Sequence, residues 1–426
     1  MKRRIYLTTT AVAGGVALAG ALGAAPVHAQ SASELRQQVF ALEQRIDALE
    51  SQETAMTSST GASFSFSGYV KLDATYDLRQ GVDADDLFQP DGLVPGARSD
   101  GGFNAHARET RLTFDFSNDT SRGPVNARIE FDLFGTRGNE LISNSHHPRL
   151  RHAFVEWNGW TVGQTWSNFM PLASLAPTVD FAGPTGIVFI RQAQVRYTQE
   201  VAPNFTVAAS LENSEFTGRN AAGLVGSGQG AGFGSGVNAD IDRVPDFVLT
   251  GTWQEGDTHL RASGVVRQLR TPRELRRPGQ GGTNFSDTGY GVSLSGGTSL
   301  WQGGTVGAQL NFGDGIGRYI ISGVGNDAYV NPNGNLDTVE AIGGSLGVTQ
   351  QINDQLRAAV SYGHYEASDT FQPNDTKRLR TIHAGAFYDV TEDVTLMGEV
   401  IWGDRRQANG RTADASRIQT AVQFNF

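Results

Sequence analysis

The chain of 426 residues carries 44 acidic and 34 basic side chains, a formal charge of −10 that excludes a globally basic nucleic-acid binder. Cysteine is absent, so neither a disulfide framework nor thiol chemistry is available. Beyond residue 29 no stretch of about 18 apolar residues occurs, which excludes a membrane-spanning helix, while 53 glycines and a mean hydropathy of −0.31 fit a membrane barrel whose strands are half polar.

Residues 1–29 read as a secretory signal peptide. Lys2, Arg3 and Arg4 form the basic start, an Ala/Gly-rich apolar stretch runs from about Ala11 to Ala25, and Val27-His28-Ala29 resembles a small-x-small cleavage site. Cleavage after Ala29 is expected, and removal of those three cations takes the formal charge from −10 to −13. Residues 30–60 hold the one helical stretch and a linker. In SELRQQVFALEQRIDALESQETAM (33–56), Leu35, Leu42, Leu49 and Met56 recur every seven residues, with Val39 and Ile46 at the other seam position. This is a short coiled coil, marginal on its own at about three heptads. A β-branched residue at a with Leu at d leans by itself toward two strands. A helix packed on its own domain is the alternative, which the narrow seam and the Glu, Gln and Arg flanks disfavour.

From residue 61 to 426 the apolar period is two, and the expected fold is all-β: a 16-stranded antiparallel transmembrane β-barrel. Candidate strands run from 64–78 and 106–117 through to 394–403 and 416–426, most of a length that crosses a bilayer at a tilt. The connections alternate. Short turns such as Asn158-Gly159 and Glu255-Gly256-Asp257 occupy one end. Long ones, near 79–105, 135–149, 167–187, 213–244, 270–286, 313–337, 367–378 and 404–415, occupy the other. That asymmetry is how an outer-membrane barrel is built, with the short turns and both chain ends in the periplasm.

A charge on the lipid face costs about 2–4 kcal/mol at the midplane, so parity assigns strand charges to the lumen. Glu109, Arg111, Thr113 and Asp115 then face in while Leu112, Phe114 and Phe116 face out. Asn126, Arg128, Glu130 and Asp132 face in opposite Ile129, Phe131 and Leu133. Gln192, Gln194 and Arg196 share an inward face, with Arg191 at its loop-side rim, and Arg261, Ser263 and Arg267 face in on a later strand. Arg149 and Arg151 share a parity whose face the weak alternation of 150–158 leaves open. Arginines of four strands thus converge on one wall, where they either select anions or pair with Glu109, Asp115, Glu130 and Asp132 and stiffen it. In the last strand Val422, Phe424 and Phe426 face lipid and Gln419, Gln423 and Asn425 the lumen, and the terminal aromatic resembles the signature read by barrel-assembly machinery.

The third long connection, SNFMPLASLAPTVDFAGPTG (167–186), is apolar and Pro-containing where its neighbours are rich in Asp, Asn and Gly. It is expected to fold into the barrel and narrow it; a lid or a subunit contact is the alternative. Asp83, Asp85, Asp86 and Asp91 read as a solvated outer surface. The basic stretch 267–277 either draws anions or lipopolysaccharide phosphates or is merely solvated. His146-His147 reads as a solvated pair and not a metal site, and GLVGSGQGAGFGSG (223–236) lacks the Lys-Ser/Thr of a phosphate cradle.

Signal peptide, coiled coil, linker and barrel, with the stretches SFSGYVKLDATYDL, ARETRLTFDFSND, NARIEFDLFG, LRHAFVEWNGWTVGQTWSNF and AVQFNF, resemble the DcaP-like trimeric outer-membrane porin family. The resemblance implies a homotrimer joined by barrel walls and coiled coil in the outer membrane of a Gram-negative bacterium, in contact with its lipid and lipopolysaccharide. It implies no cofactor, no nucleic acid and no enzymatic activity. It further implies passive diffusion of small hydrophilic solutes, leaning toward dicarboxylates and other anions through an arginine-bearing constriction, for which Arg111, Arg128, Arg151, Arg191 and Arg196 are the candidates. Two other classes remain. A barrel enzyme needs Ser or Asp near His at a rim, and the histidines are scattered. A structural or adhesive barrel would not conduct.

Overall fold

The computed structural model describes residues 62–426 apart from 79–82, 85–86, 98–100, 136–139, 216, 221–222, 227–242, 271–285, 321–326, 332, 334 and 369. The expected signal peptide and coiled coil lie outside the described residues. The chain from residue 62 onward forms one closed antiparallel barrel of sixteen strands. The strands are β1 (Ser63–Asp77), β2 (Gly102–His106 and Arg111–Thr120, interrupted between), β3 (Gly123–Asp132), β4 (Arg149–Trp157), β5 (Trp160–Trp166), β6 (Arg191–Ala202), β7 (Phe205–Glu212), β8 (Asp246–Glu255), β9 (Thr258–Arg270), β10 (Ser286–Trp301), β11 (Gly304–Asp314), β12 (Glu340–Gln351), β13 (Leu356–Ala367), β14 (Thr376–Asp389), β15 (Val394–Gln407) and β16 (Thr412–Asn425). Both pieces of β2 pair with β1, which is why they count as one strand. The seam closes where β1 pairs with β16, from Tyr69 opposite Asn425 to Asp77 opposite Arg417.

The side chains are inverted relative to a soluble fold. Leu72, Val162, Leu249, Val360 and Ile418 are exposed, while Asp73, Thr161, Thr250, Ser361 and Gln419 beside them are buried. Closure leaves no open edge, the condition for strands in a hydrocarbon solvent. Aromatics ring the short-turn end of the outer face. Trp160 meets Tyr197 at 4.9 Å, and Phe66 lies, tilted, between Phe114 at 5.2 Å and Phe426 at 5.4 Å. Asn158-Gly159 takes positive φ at both positions (47° and 82°), as the tightest hairpin turn requires.

Two connections differ from expectation. β15 and β16 extend to Gln407 and from Thr412, so the expected long loop at 404–415 is a turn over 408–411. The extension has a purpose: Arg405 donates to the Leu93 carbonyl at 2.8 Å and Arg411 to that of Pro95 at 2.6 Å, holding the first outer loop. That loop, in turn, is not simply solvated. Phe88 and Leu93 are buried against Ile401 and Ala415, and Asp91 is buried too, where burial pushes its carboxyl up to about 7 against the pull of Arg405.

Candidate functional site

The third outer connection, loop 3 (167–190), lies inside the barrel, as its composition suggested. The far wall is shaped to receive it. At Gly307, Gly343, Gly347 and Gly363, on β11–β13, a Cβ would come within 2.6 Å of Ser174, Gly186, Ala176 or Thr185. Only glycine permits so close a backbone approach. Polar side chains then satisfy the loop's backbone: Gln309 accepts from the Val188 N–H (3.1 Å), Asn311 donates to the Gly186 carbonyl (3.0 Å), and Thr381 accepts from the Thr185 N–H (3.0 Å). At the loop's turning point the Val179 carbonyl accepts from Lys71 at 2.9 Å, and the Asp180 N–H donates to Glu399 at 3.0 Å. The Asp180 carboxylate accepts the Phe88 N–H at 3.0 Å, so loops 1 and 3 meet there. Burial raises the Asp180 carboxyl to about 6, although Arg417 and His383 favour its charged form.

Opposite the loop stands the arginine wall of β2–β6, with the expected parity: Thr113, Glu130 and Asp132 are buried, and Leu112, Phe116 and Ile129 exposed. Its arginines are not alike. Arg128 pairs with Asp115 at 2.7 Å, Arg151 with Glu130 at 2.5 Å and Asp132 at 3.0 Å, Arg149 with Asp132 at 2.5 Å, and Arg111 lies 3.6 Å from Glu130. Arg191 and Arg196 have no carboxylate partner among the described residues. Arg191 lies over the Trp166 ring, 4.3 Å from its centre, and 5.9 Å from that of Phe189. Arg196 donates one long bond, 3.4 Å, to Thr161.

Aromatic rings carry the cations toward the loop. Arg149 and Arg151 each stack on Phe181 of loop 3, at 5.4 and 5.3 Å, and Phe181 meets Phe189 edge-on at 5.6 Å. The structure therefore gathers Arg111, Arg128, Arg151, Arg191 and Arg196 on one wall and aims the upper ones at loop 3. Among the described residues no group of three or more His, Cys, Asp or Glu could hold a metal ion.

The model of the DcaP outer membrane protein family matches residues 29–241, half of the chain. The chain belongs to that family. Among solved structures, the DcaP outer membrane channel of Acinetobacter baumannii superposes with a TM-score of 0.74 at 20% identity, covering 88% of this chain and all of that one. An anion-selective porin from Comamonas acidovorans gives 0.53 at 13% identity over 86% of this chain and 100% of the other. OmpT of Vibrio cholerae in its trimer form gives 0.53 at 13%, over 86% and 99%. At these identities the likeness shows the porin fold. No curated protein sequence matches the chain.

Two features of this DcaP-family wall were missed in the sequence. A bulge between Glu130 and Phe131 shifts the β3–β4 register, so that Phe131 faces Leu150 and Glu130 faces His152. Arg151 and His152 are both buried as a result, and the face left open for β4 is the lumen for Arg151. Parity fails there, which is why the alternation looked weak. The second is the set Trp166, Phe181 and Phe189; their only signal was their closeness in sequence to the arginines or within the apolar loop.

Proposed function

We propose that this chain forms a diffusion channel of the outer membrane that passes small hydrophilic solutes and favours anions, dicarboxylates among them. The observation that carries this reading is the pair Arg191 and Arg196, two guanidiniums on the wall facing loop 3 with no carboxylate partner among the described residues. A narrowed aqueous path with low-dielectric walls concentrates counter-ions of the opposite sign, and a guanidinium keeps its charge at any working pH. Arg111, Arg128 and Arg151 neutralise the wall's carboxylates, so those acids do not cancel the excess. The exposed aromatic cluster of β1, β2 and β16 and the heptads of residues 33–56 suit a homotrimer with a periplasmic coiled coil, embedded among outer-membrane lipid and lipopolysaccharide.

The test is the reversal potential of the purified protein in a planar lipid bilayer under a KCl gradient. Anion preference, with conductance in steps of three, supports the anion-favouring trimer. Cation preference would mean that Asp115, Glu130 and Asp132 dominate the path and would sink the anion reading. Absence of conductance would favour a structural or adhesive barrel. One feature speaks for that second reading: Phe169, Met170, Val188, Ile316, Tyr319 and Ile320 form a buried apolar cluster between loops within the barrel mouth.

A further inference from the structure

Loop 3 leaves β5 at Ser167 and Asn168, and there it meets an arginine. Arg261 of β9 donates to the Asn168 carbonyl at 2.6 Å and to Thr252 Oγ1 at 3.5 Å. Among the described residues Arg196 of β6 donates only to Thr161 Oγ1, at 3.4 Å. In both side chains the Nε–H is buried and has no hydrogen-bond partner, and neither side chain forms an ion pair among the described residues. The two guanidiniums are near enough to act on each other's charge. The acids that face them are Glu156 and Glu212. Glu212 is committed elsewhere, accepting from the Asn168 N–H at 2.8 Å, from Ser210 at 2.7 Å and from Gln192 at 2.5 Å. Glu156 accepts from Thr161 at 3.3 Å.

Two like charges whose nearby acids, Glu156 and Glu212, form no direct ion pair with them among the described residues are costly to hold together. A carboxylate lying between the two guanidiniums removes the repulsion. Their position along the barrel adds direction. Arg191 opens β6 at the loop end, and Arg196 lies five residues further toward the short turns, about 16 Å along the strand. Arg261 is the fourth residue of β9 counted from its short turn.

We infer that Arg196 and Arg261 form a second anion station, on the short-turn side of loop 3, which binds a carboxylate group separately from Arg191. This deepens the anion-channel reading and rests on it. A solute passing inward is held first at Arg191 and then at the pair, and one arriving from the periplasm meets the pair first.

The test is block of single-channel current by succinate, added from one side at a time to the full-length protein. An introduced Asp257→Cys, in a chain without cysteine, marks the short-turn side by its reaction with a charged thiol reagent. Arg196→Gln and Arg261→Gln are each expected to lower the association rate from the short-turn side about tenfold, and that from the loop side by less than about threefold. Arg261→Lys restores the rate only in part, because a point charge replaces a planar fork. Arg261 also tethers loop 3, so Arg196→Gln, which loses a single long bond, is the cleaner arm. Equal changes from both sides, or none, in a channel that still prefers anions would overturn the station alone. A wild-type channel with no anion preference and no succinate block would overturn the station together with the function it rests on.

Discussion

The two halves of the barrel lining solve opposite problems with opposite residues. On β11–β13 the inward positions are glycines at Gly307, Gly343, Gly347 and Gly363, and the space they free is taken by loop 3 backbone. On β2–β6 the inward positions carry arginines, several of which meet the rings of Phe181, Phe189 and Trp166. The glycine half fixes where the loop sits; the arginine half sets what the loop faces. On the proposed channel reading, selectivity is a property of the gap between them, and a change on the glycine side should alter it without touching a charge.

The largest effect is expected from that side. Gly363→Val places a Cβ 2.3 Å from the Thr185 carbonyl, and Gly347→Val one 2.4 Å from Ala176. Each clash costs about 3 kcal/mol, which should undock loop 3, raise unitary conductance and weaken anion preference together. Unchanged conductance in a folded variant would break the comparison. Next comes Arg191→Glu, which reverses a charge with no carboxylate partner among the described residues. The anion-to-cation permeability ratio from reversal potentials should fall about tenfold, and heat stability should fall by about 1 kcal/mol as the contacts with Trp166 and Phe189 are lost.

A smaller effect concerns pH. The Asp180 carboxyl lies near 6 in the folded chain, above its ordinary value of 3.8. The docked loop therefore takes up a proton that the released loop does not. The penalty for burying the charged form is full above pH 6 and gone below about pH 4, so docking tightens on acidification across that window by about 1 kcal/mol per pH unit. Current fluctuations between open levels should become rarer at pH 4.5 than at 7.5, and Asp180→Asn should remove this part of the trend. Arg417, His383 and Glu399 surround the same carboxyl, and the variant separates its contribution from theirs. More fluctuation at acid pH in the wild type, unaltered in the variant, would count against it. The smallest effect is at Arg128→Gln. Its pair with Asp115 is half exposed and contributes only about 0–1 kcal/mol. The reversal potential should shift slightly toward cations as Asp115 is uncovered, and the melting temperature should not move measurably.

Much of the fold was legible because a membrane barrel writes its rule into every strand: Leu112, Phe116 and Ile129 had to face lipid, so Thr113, Glu130 and Asp132 had to face in. The inward course of loop 3 was legible from its apolar composition. What was not legible depends on contacts between distant segments. The bulge that turns both Arg151 and His152 inward answers to the β3–β4 register. The length of β15 and β16 answers to loop 1 carbonyls that Arg405 and Arg411 hold. Which arginines keep a free charge depends on which carboxylates lie across the neighbouring strand, and strand parity places a residue on a face without naming its partner.

The seam between β1 and β16 carries a kinetic consequence. Arg417 and Asp77 are paired across 340 residues of chain, and the Val179 carbonyl of loop 3 accepts from Lys71 on one side of that seam and, at 3.4 Å, from Gln419 on the other. Contacts of such separation form late, since loop-closure entropy must be overcome before they contribute. Loop 3 can take its final place only when the first and last strands have met, so the narrow path is assembled after the cylinder. Hydrogen exchange pulsed through refolding should then find the loop's amides protected no earlier than those of β1 and β16; earlier protection would place the loop ahead of the seam.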